Sequence, residues 1–105
     1  MIDKKANESV EQAVCYELQN IVKKYGPVYH SEHEAYAILK EEVEETEEGL
    51  KYLIMYLESI WNQIRKNQKV SEEIKQAKMI ALNIAKEAVQ CAAVCERFQE
   101  TVKNK

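Results

Sequence analysis

The sequence predicts an all-α protein: long helices folded into a hairpin bundle and completed by oligomerisation. Three observations lead there. Among 105 residues there are only two glycines and one proline, and Gly26 and Pro27 are adjacent, so one strong breaker interrupts the chain. Apolar residues recur every three or four positions, the period of a helix face. The composition, 46% hydrophobic and 31% charged, is that of a packed or coiled-coil chain rather than a disordered one. A chain of this length makes one domain, residues 1–105, and so small a domain buries only about 60 to 70% of the surface its unfolded chain exposes. A partner surface would complete it.

The first helix is predicted from about Asn7 to Tyr25, where Ala13, Val14, Leu18, Ile21 and Val22 keep helical spacing until Gly26-Pro27 ends it. Pro27 to His30 is a short connector. Ser31, followed three residues later by Glu34, has the form of a capping box that starts a second helix. This helix meets no strong breaker before Asn67 and spans about 50 Å, read as one element with Gly49 its weakest point. Its core seam is predicted along Ala35, Leu39, Val43, Leu50, Leu53 and Leu57. Asn67 to Val70 form a polar connector, Ser71 is the expected N-cap, and a third helix runs from Glu72 to about Val102, with Lys103 to Lys105 frayed. The third helix is apolar on several sides, from Ile74 through Ile84 and Val94 to Phe98, which predicts a central position, against either its own chain or a second one.

Charge and targeting signals narrow the function. The net charge is −3 and the densest charge block, Glu41 to Glu48, is acidic, the reverse of a nucleic-acid grip. Met1 to Glu11 contain no apolar run, so neither a secretory signal nor a membrane span is expected, and a cytoplasmic location is. Cys15, Cys91 and Cys95 are odd in number and lack CxxC spacing, which predicts small buried thiols rather than a disulfide or zinc site. His30 and His33 do not have HExxH spacing and are read as structural. Tyr52, Tyr56 and Trp61 recur at helical spacing and are read as interface.

The chemistry-bearing residues are the carboxylates. Glu42 and Glu45, three apart, share a helix face, and Glu42 falls at the edge of the apolar stripe. Glu87 projects along the stripe of Ile80, Ile84, Cys91 and Val94, where a charge requires a cation, a metal, a donor or a proton of its own. Antiparallel packing of the second and third helices brings Glu42, Glu45 and Glu87 together, an oxygen-rich set suited to Mg²⁺ or Mn²⁺. Other readings stand beside this one: a solvated acidic face for Glu41 to Glu48, a salt bridge from Glu87 to Lys40, Lys86 or Arg97, and an interhelical hydrogen bond for Gln90.

The stretch Leu39-Lys40-Glu41-Glu42-Val43-Glu44-Glu45 resembles the EExxE helix of the all-α nucleotide pyrophosphohydrolases of the MazG type. Glu42 and Glu45 match that family's first metal-binding pair. Glu87-Ala88-Val89-Gln90 occupies the place of the second, ExxD, with Gln90 where the family has Asp. The wider pattern from His33 to Glu42, with Glu87 to Ala93, is similar to uncharacterised phage and bacterial relatives of the family, which tend to carry Gln there. The resemblance covers roughly Tyr25 to Phe98 and implies a Mg²⁺- or Mn²⁺-dependent release of pyrophosphate from a nucleoside triphosphate. It implies Glu42, Glu45, Glu87 and Gln90 as metal ligands. Glu41, or Glu34, would orient the attacking water, and Lys86 or Arg97 would steady phosphate oxygens. It is also compatible with a non-catalytic descendant that binds a nucleotide or a protein. A third alternative is a coiled-coil-like structural adaptor with no small-molecule site.

Overall fold

The computed structural model describes residues 1–104 and consists of three helices, α1 (Lys4–Tyr25), α2 (Glu32–Arg65) and α3 (Ser71–Lys103). Among the described residues there is no strand, in agreement with the all-α prediction. The molecule is long, 60 × 31 × 22 Å.

The helix ends follow capping chemistry. α1 starts earlier than its apolar pattern suggested because the Asp3 carboxylate accepts the Ala6 N–H at 2.8 Å. It ends at Gly26, whose φ of 90° lies in the region where a side chain would be strained, and the Gly26 N–H donates to the Val22 carbonyl at 2.8 Å. Ser31 caps α2 as predicted, its hydroxyl accepting the Glu34 N–H at 3.1 Å. The returning half of the box is displaced, since the Glu34 carboxylate accepts from the His30 N–H at 3.2 Å. α2 then passes through Gly49 without a break. Ser71 is not the N-cap of α3: the Ile74 N–H already donates to the Val70 carbonyl at 3.0 Å, so helical bonding begins one residue sooner and Ser71 lies inside the helix. The C-terminal end is tighter than expected, with Lys103 helical and the Asn104 side chain donating to the Glu100 carbonyl at 2.7 Å. Of the tail predicted to fray, Lys105 lies outside the described residues.

α3 is central. It packs on α2 and on α1, while α1 and α2 do not pack on each other. The α2 seam departs from the sequence prediction. Ala35 is buried and Leu39 and Leu53 are half-buried, but Val43, Leu50 and Leu57 are exposed. The half-buried line instead runs Leu39, Glu42, Thr46, Gly49, Leu53, Tyr56, Ile60, alternating steps of three and four, and α3 answers with Ile80, Ile84, Glu87, Cys91, Val94 and Phe98. The physical reason is angular drift: a step of four overshoots a turn by about 40°, so a line advancing by fours leaves the contact within two steps, whereas alternation keeps it facing the partner helix. Gly49 faces α3 at close range, since a Cβ built there would meet the Ile84 Cγ1 at 2.9 Å.

Among the described residues no large side chain is fully buried. The core gathers at one end, where Tyr29, Ala35 and Val94 pack with Ile38, Leu39 and Phe98. Arg97 locks the α1–α2 connector to this end of α3. Its guanidinium donates to the carbonyls of Tyr25 at 2.9 Å, Gly26 at 3.0 Å and Val28 at 3.1 Å, and lies 4.0 Å from the centre of the Tyr29 ring. Beside it, the Thr101 hydroxyl accepts the Tyr29 N–H and donates to the Arg97 carbonyl, both at 2.9 Å. The three cysteines are free thiols, but only Cys91 is partly buried, while Cys15 and Cys95 are exposed, against the prediction of buried thiols. Cys95 is exposed although its neighbours Ala93 and Val94 are buried, because successive helix residues point about 100° apart and an apolar neighbourhood in sequence does not fix the face. No helix among the described residues is long and apolar enough to cross a membrane.

Candidate metal centre and adjoining cleft

The α2–α3 seam brings Glu42, Glu45 and Glu87 together. One carboxylate oxygen from each lies within 4.8 Å of the others. Glu42 and Glu45 come from the same turn of α2, and Glu87 takes the position on α3 where an apolar knob would otherwise fill the seam. Just beyond, the Thr46 hydroxyl donates to the Glu42 carbonyl at 2.9 Å and lies 3.5 Å from the Cys91 sulfur, a small polar contact that holds the helices in register.

The carboxylates perturb one another. Partial burial, then the charges of Glu45 and Glu87, push the Glu42 carboxyl above the usual carboxylate range. Carboxyl hydrogen bonding with Glu87, together with its charge, raises Glu45 in the same direction. Among the described residues no lysine or arginine pairs with any of the three, because Lys40 pairs with Glu44, Lys51 with Glu47 and Lys103 with Glu100. The salt-bridge alternative for Glu87 therefore finds no partner in Lys40, Lys86 or Arg97. Three carboxylate oxygens this close could hold a metal ion, and oxygen donors of this kind suit hard divalent cations.

The remaining candidates are placed differently. Gln90 turns to α1, its amide donating to the Glu17 carboxylate at 2.9 Å, the interhelical role that was its alternative reading. Glu41 is exposed on the flank of α2, and the Glu34 carboxylate caps the His30 N–H. Lys86 is exposed beside Glu87 in sequence. Arg97 is buried and engaged with three carbonyls of the connector, so its main task is structural. Trp61 and Tyr52 are exposed and Tyr56 half-buried on α2.

The triad stands in the wall between two openings. Glu45 and Glu87 border a shallow depression of about 300 Å³ with Gly49, Tyr52, Ile80 and Ile84. Glu42 borders a larger cleft of about 560 Å³ between α1 and the hairpin, lined also by Glu17, Asn20, Lys24, Ile38, Gln90 and Val94. The α1 residues were not singled out by sequence. Glu17 carried a usable signal, an acid set within the apolar stripe of Ala13, Val14, Leu18 and Ile21. Asn20 and Lys24 carried none.

Comparisons with protein-family models, curated proteins and solved structures return no match.

Proposed function

We propose that this protein is a metal-dependent nucleoside triphosphate pyrophosphohydrolase, cleaving a triphosphate to the monophosphate and pyrophosphate as a cytoplasmic homodimer or higher homo-oligomer. The observation that carries the reading is the meeting of Glu42, Glu45 and Glu87 across the seam with no cation paired to them among the described residues. It is supported by the likeness of the Glu41 to Glu45 stretch to the MazG-type motif.

Mg²⁺ or Mn²⁺, when bound, supplies the charge that neutralises the triphosphate and favours attack of water on the α-phosphorus. Glu42, Glu45 and Glu87 are the residues that hold it. Glu41, exposed beside Glu42, accepts the proton of the attacking water. Of the two cations offered by the sequence, Lys86 is the freer partner for a phosphate oxygen, since Arg97 is engaged elsewhere. Oligomerisation is supported by the outer face of α2, where Val43, Leu50, Ile54, Leu57, Trp61 and Ile64 are between 48% and 65% exposed. An apolar line of that length has the character of a contact surface.

A second reading, a non-catalytic MazG-like binding or adaptor protein of phage or bacterial origin, is favoured by Gln90, whose neutral amide is already bonded to Glu17. The deciding experiment is pyrophosphate release from a panel of ribo- and deoxyribonucleoside triphosphates with Mg²⁺ or Mn²⁺. Metal-dependent release, abolished by Glu42→Gln and by Glu87→Gln, is expected. A folded protein that releases nothing across the panel overturns the hydrolase and leaves the binding protein, while release that survives both substitutions overturns the carboxylate triad as its metal site.

A further inference from the structure

We infer that the cleft between α1 and the α2–α3 hairpin is a nucleobase site that selects bases carrying an amino group over those carrying a carbonyl in its place. This rests on the nucleotide reading above and adds the base class to it. The cleft, of about 560 Å³, falls within the roughly 300 to 1,000 Å³ of small-molecule pockets. Glu42 of the carboxylate triad is among its lining residues, so a nucleotide whose phosphates lie at the triad can extend its base into this space. Ile21, Ile38 and Val94 give it an apolar lining on which a flat ring can rest.

The polar edge sets the preference. The Gln90 amide donates to one oxygen of Glu17 at 2.9 Å. The second Glu17 oxygen and the Gln90 carbonyl oxygen receive no donor from any described residue, and both are acceptors. Two open acceptors on one hydrogen-bonded pair lining the cleft call for a donor on the ligand. An exocyclic amino group meets them, as on cytosine or adenine, whereas the 4-carbonyl of uracil or thymine sets acceptor against acceptor. Asn20, also on the cleft wall, can present either its carbonyl or its amide to a neighbouring ring nitrogen. An ammonium ligand would satisfy the same acceptors, but it has no use for the apolar walls.

The test is calorimetric titration of the intact protein in Mg²⁺ with 2′-deoxycytidine and 2′-deoxyuridine monophosphates, alongside nitrogen-15 spectra following the Gln90 side-chain amide. Cytosine binding about 10-fold tighter than uracil is expected, with the Gln90 resonance moving on saturation and the ratio falling below about 3-fold in Glu17→Gln. The wild-type ratio decides the matter even if Glu17→Gln loosens α1, and Ile38→Trp, which fills the cleft from α2, should abolish nucleotide binding with the helical fold retained. Equal affinities, no binding, or displacement of the nucleotide by spermidine with no base preference overturns the inference. Pyrophosphate release is scored separately: release without base preference removes the base site and leaves the hydrolase, while base preference without release does the reverse.

Discussion

Gly49 of α2 and Ile84 of α3 meet so closely that a methyl group on Gly49 would lie 2.9 Å from the Ile84 Cγ1. Their contact sets the spacing of the two helices one turn from Glu45 and Glu87, so the width of the carboxylate site depends on a residue with no chemistry of its own. Two opposed effects bear on Gly49→Ala. Helix propensity favours alanine by about 1 kcal/mol, and overpacking costs about 1 to 3 kcal/mol. A net loss of about 1 kcal/mol is expected in the wild-type background. In Ile84→Ala, where the obstructing atom is gone, the same change should gain about 1 kcal/mol. Urea unfolding of the four proteins of this double-mutant cycle checks the coupling, and additivity would show that the contact is not limiting.

Arg97 holds the connector through three carbonyls. Arg97→Leu leaves those acceptors without their donor and should cost about 3 kcal/mol, a large part of the ~5 to 15 kcal/mol of an ordinary domain. Arg97→Lys should recover little, because a point charge cannot span three carbonyls as the guanidinium does. Thermal unfolding followed by circular dichroism distinguishes these outcomes from a surface role, in which both variants would melt with the wild type.

The carboxylate triad makes stability fall as pH rises. Glu42 and Glu45 have folded pKa values above their unfolded ones, so through that window the unfolded chain holds fewer protons than the native one and the slope of stability with pH is negative. At low pH both states are protonated and the cost vanishes. At neutral pH it is fully present. The wild type should therefore lose stability relative to Glu87→Gln between the unfolded carboxylate pKa, near 4.5, and neutrality. Melting points of the two proteins against pH, without divalent metal, check the sign.

Millimolar Mg²⁺ should reverse that loss. A ligand present at about 100 times its dissociation constant stabilises by about 2.7 kcal/mol, which at this chain length is a rise in melting point of about 10 to 20 °C. Glu87→Gln should show little of it. An equal Mg²⁺ response in both proteins would mean that the ion binds elsewhere.

The outer face of α2 should hold copies together. Leu57→Lys combined with Trp61→Glu places two charges in the most exposed part of the stripe, and the protein should then sediment as a monomer while the wild type does not. A wild-type monomer at tens of micromolar would remove the oligomer from the proposed function.

The three helices were legible from local chemistry. One Gly-Pro pair, one capping serine and long runs of Ala, Leu, Glu and Lys leave little besides helix, because capping and propensity act within a few residues. Glu42, Glu45 and Glu87 were also visible, since acids on or beside an apolar stripe conflict with their surroundings wherever the stripe leads.

The choice of face was decided by tertiary structure. Val43, Leu50 and Leu57 are as hydrophobic as any seam residue, yet they point outward, because the axis of contact with α3 is set by where two helices approach most closely. On α2 and α3 the contact involves Gly49 with Ile84 and Thr46 with Cys91, while the Glu17–Gln90 and Arg97 links tie α1 and the connector to α3, all between residues far apart in the chain. By itself the sequence determined how many helices there are, where they end to within about three residues and which acids are out of place. Which side of each helix meets another, and so which clefts flank those acids, depends on steric fit between distant residues, which no local pattern encodes.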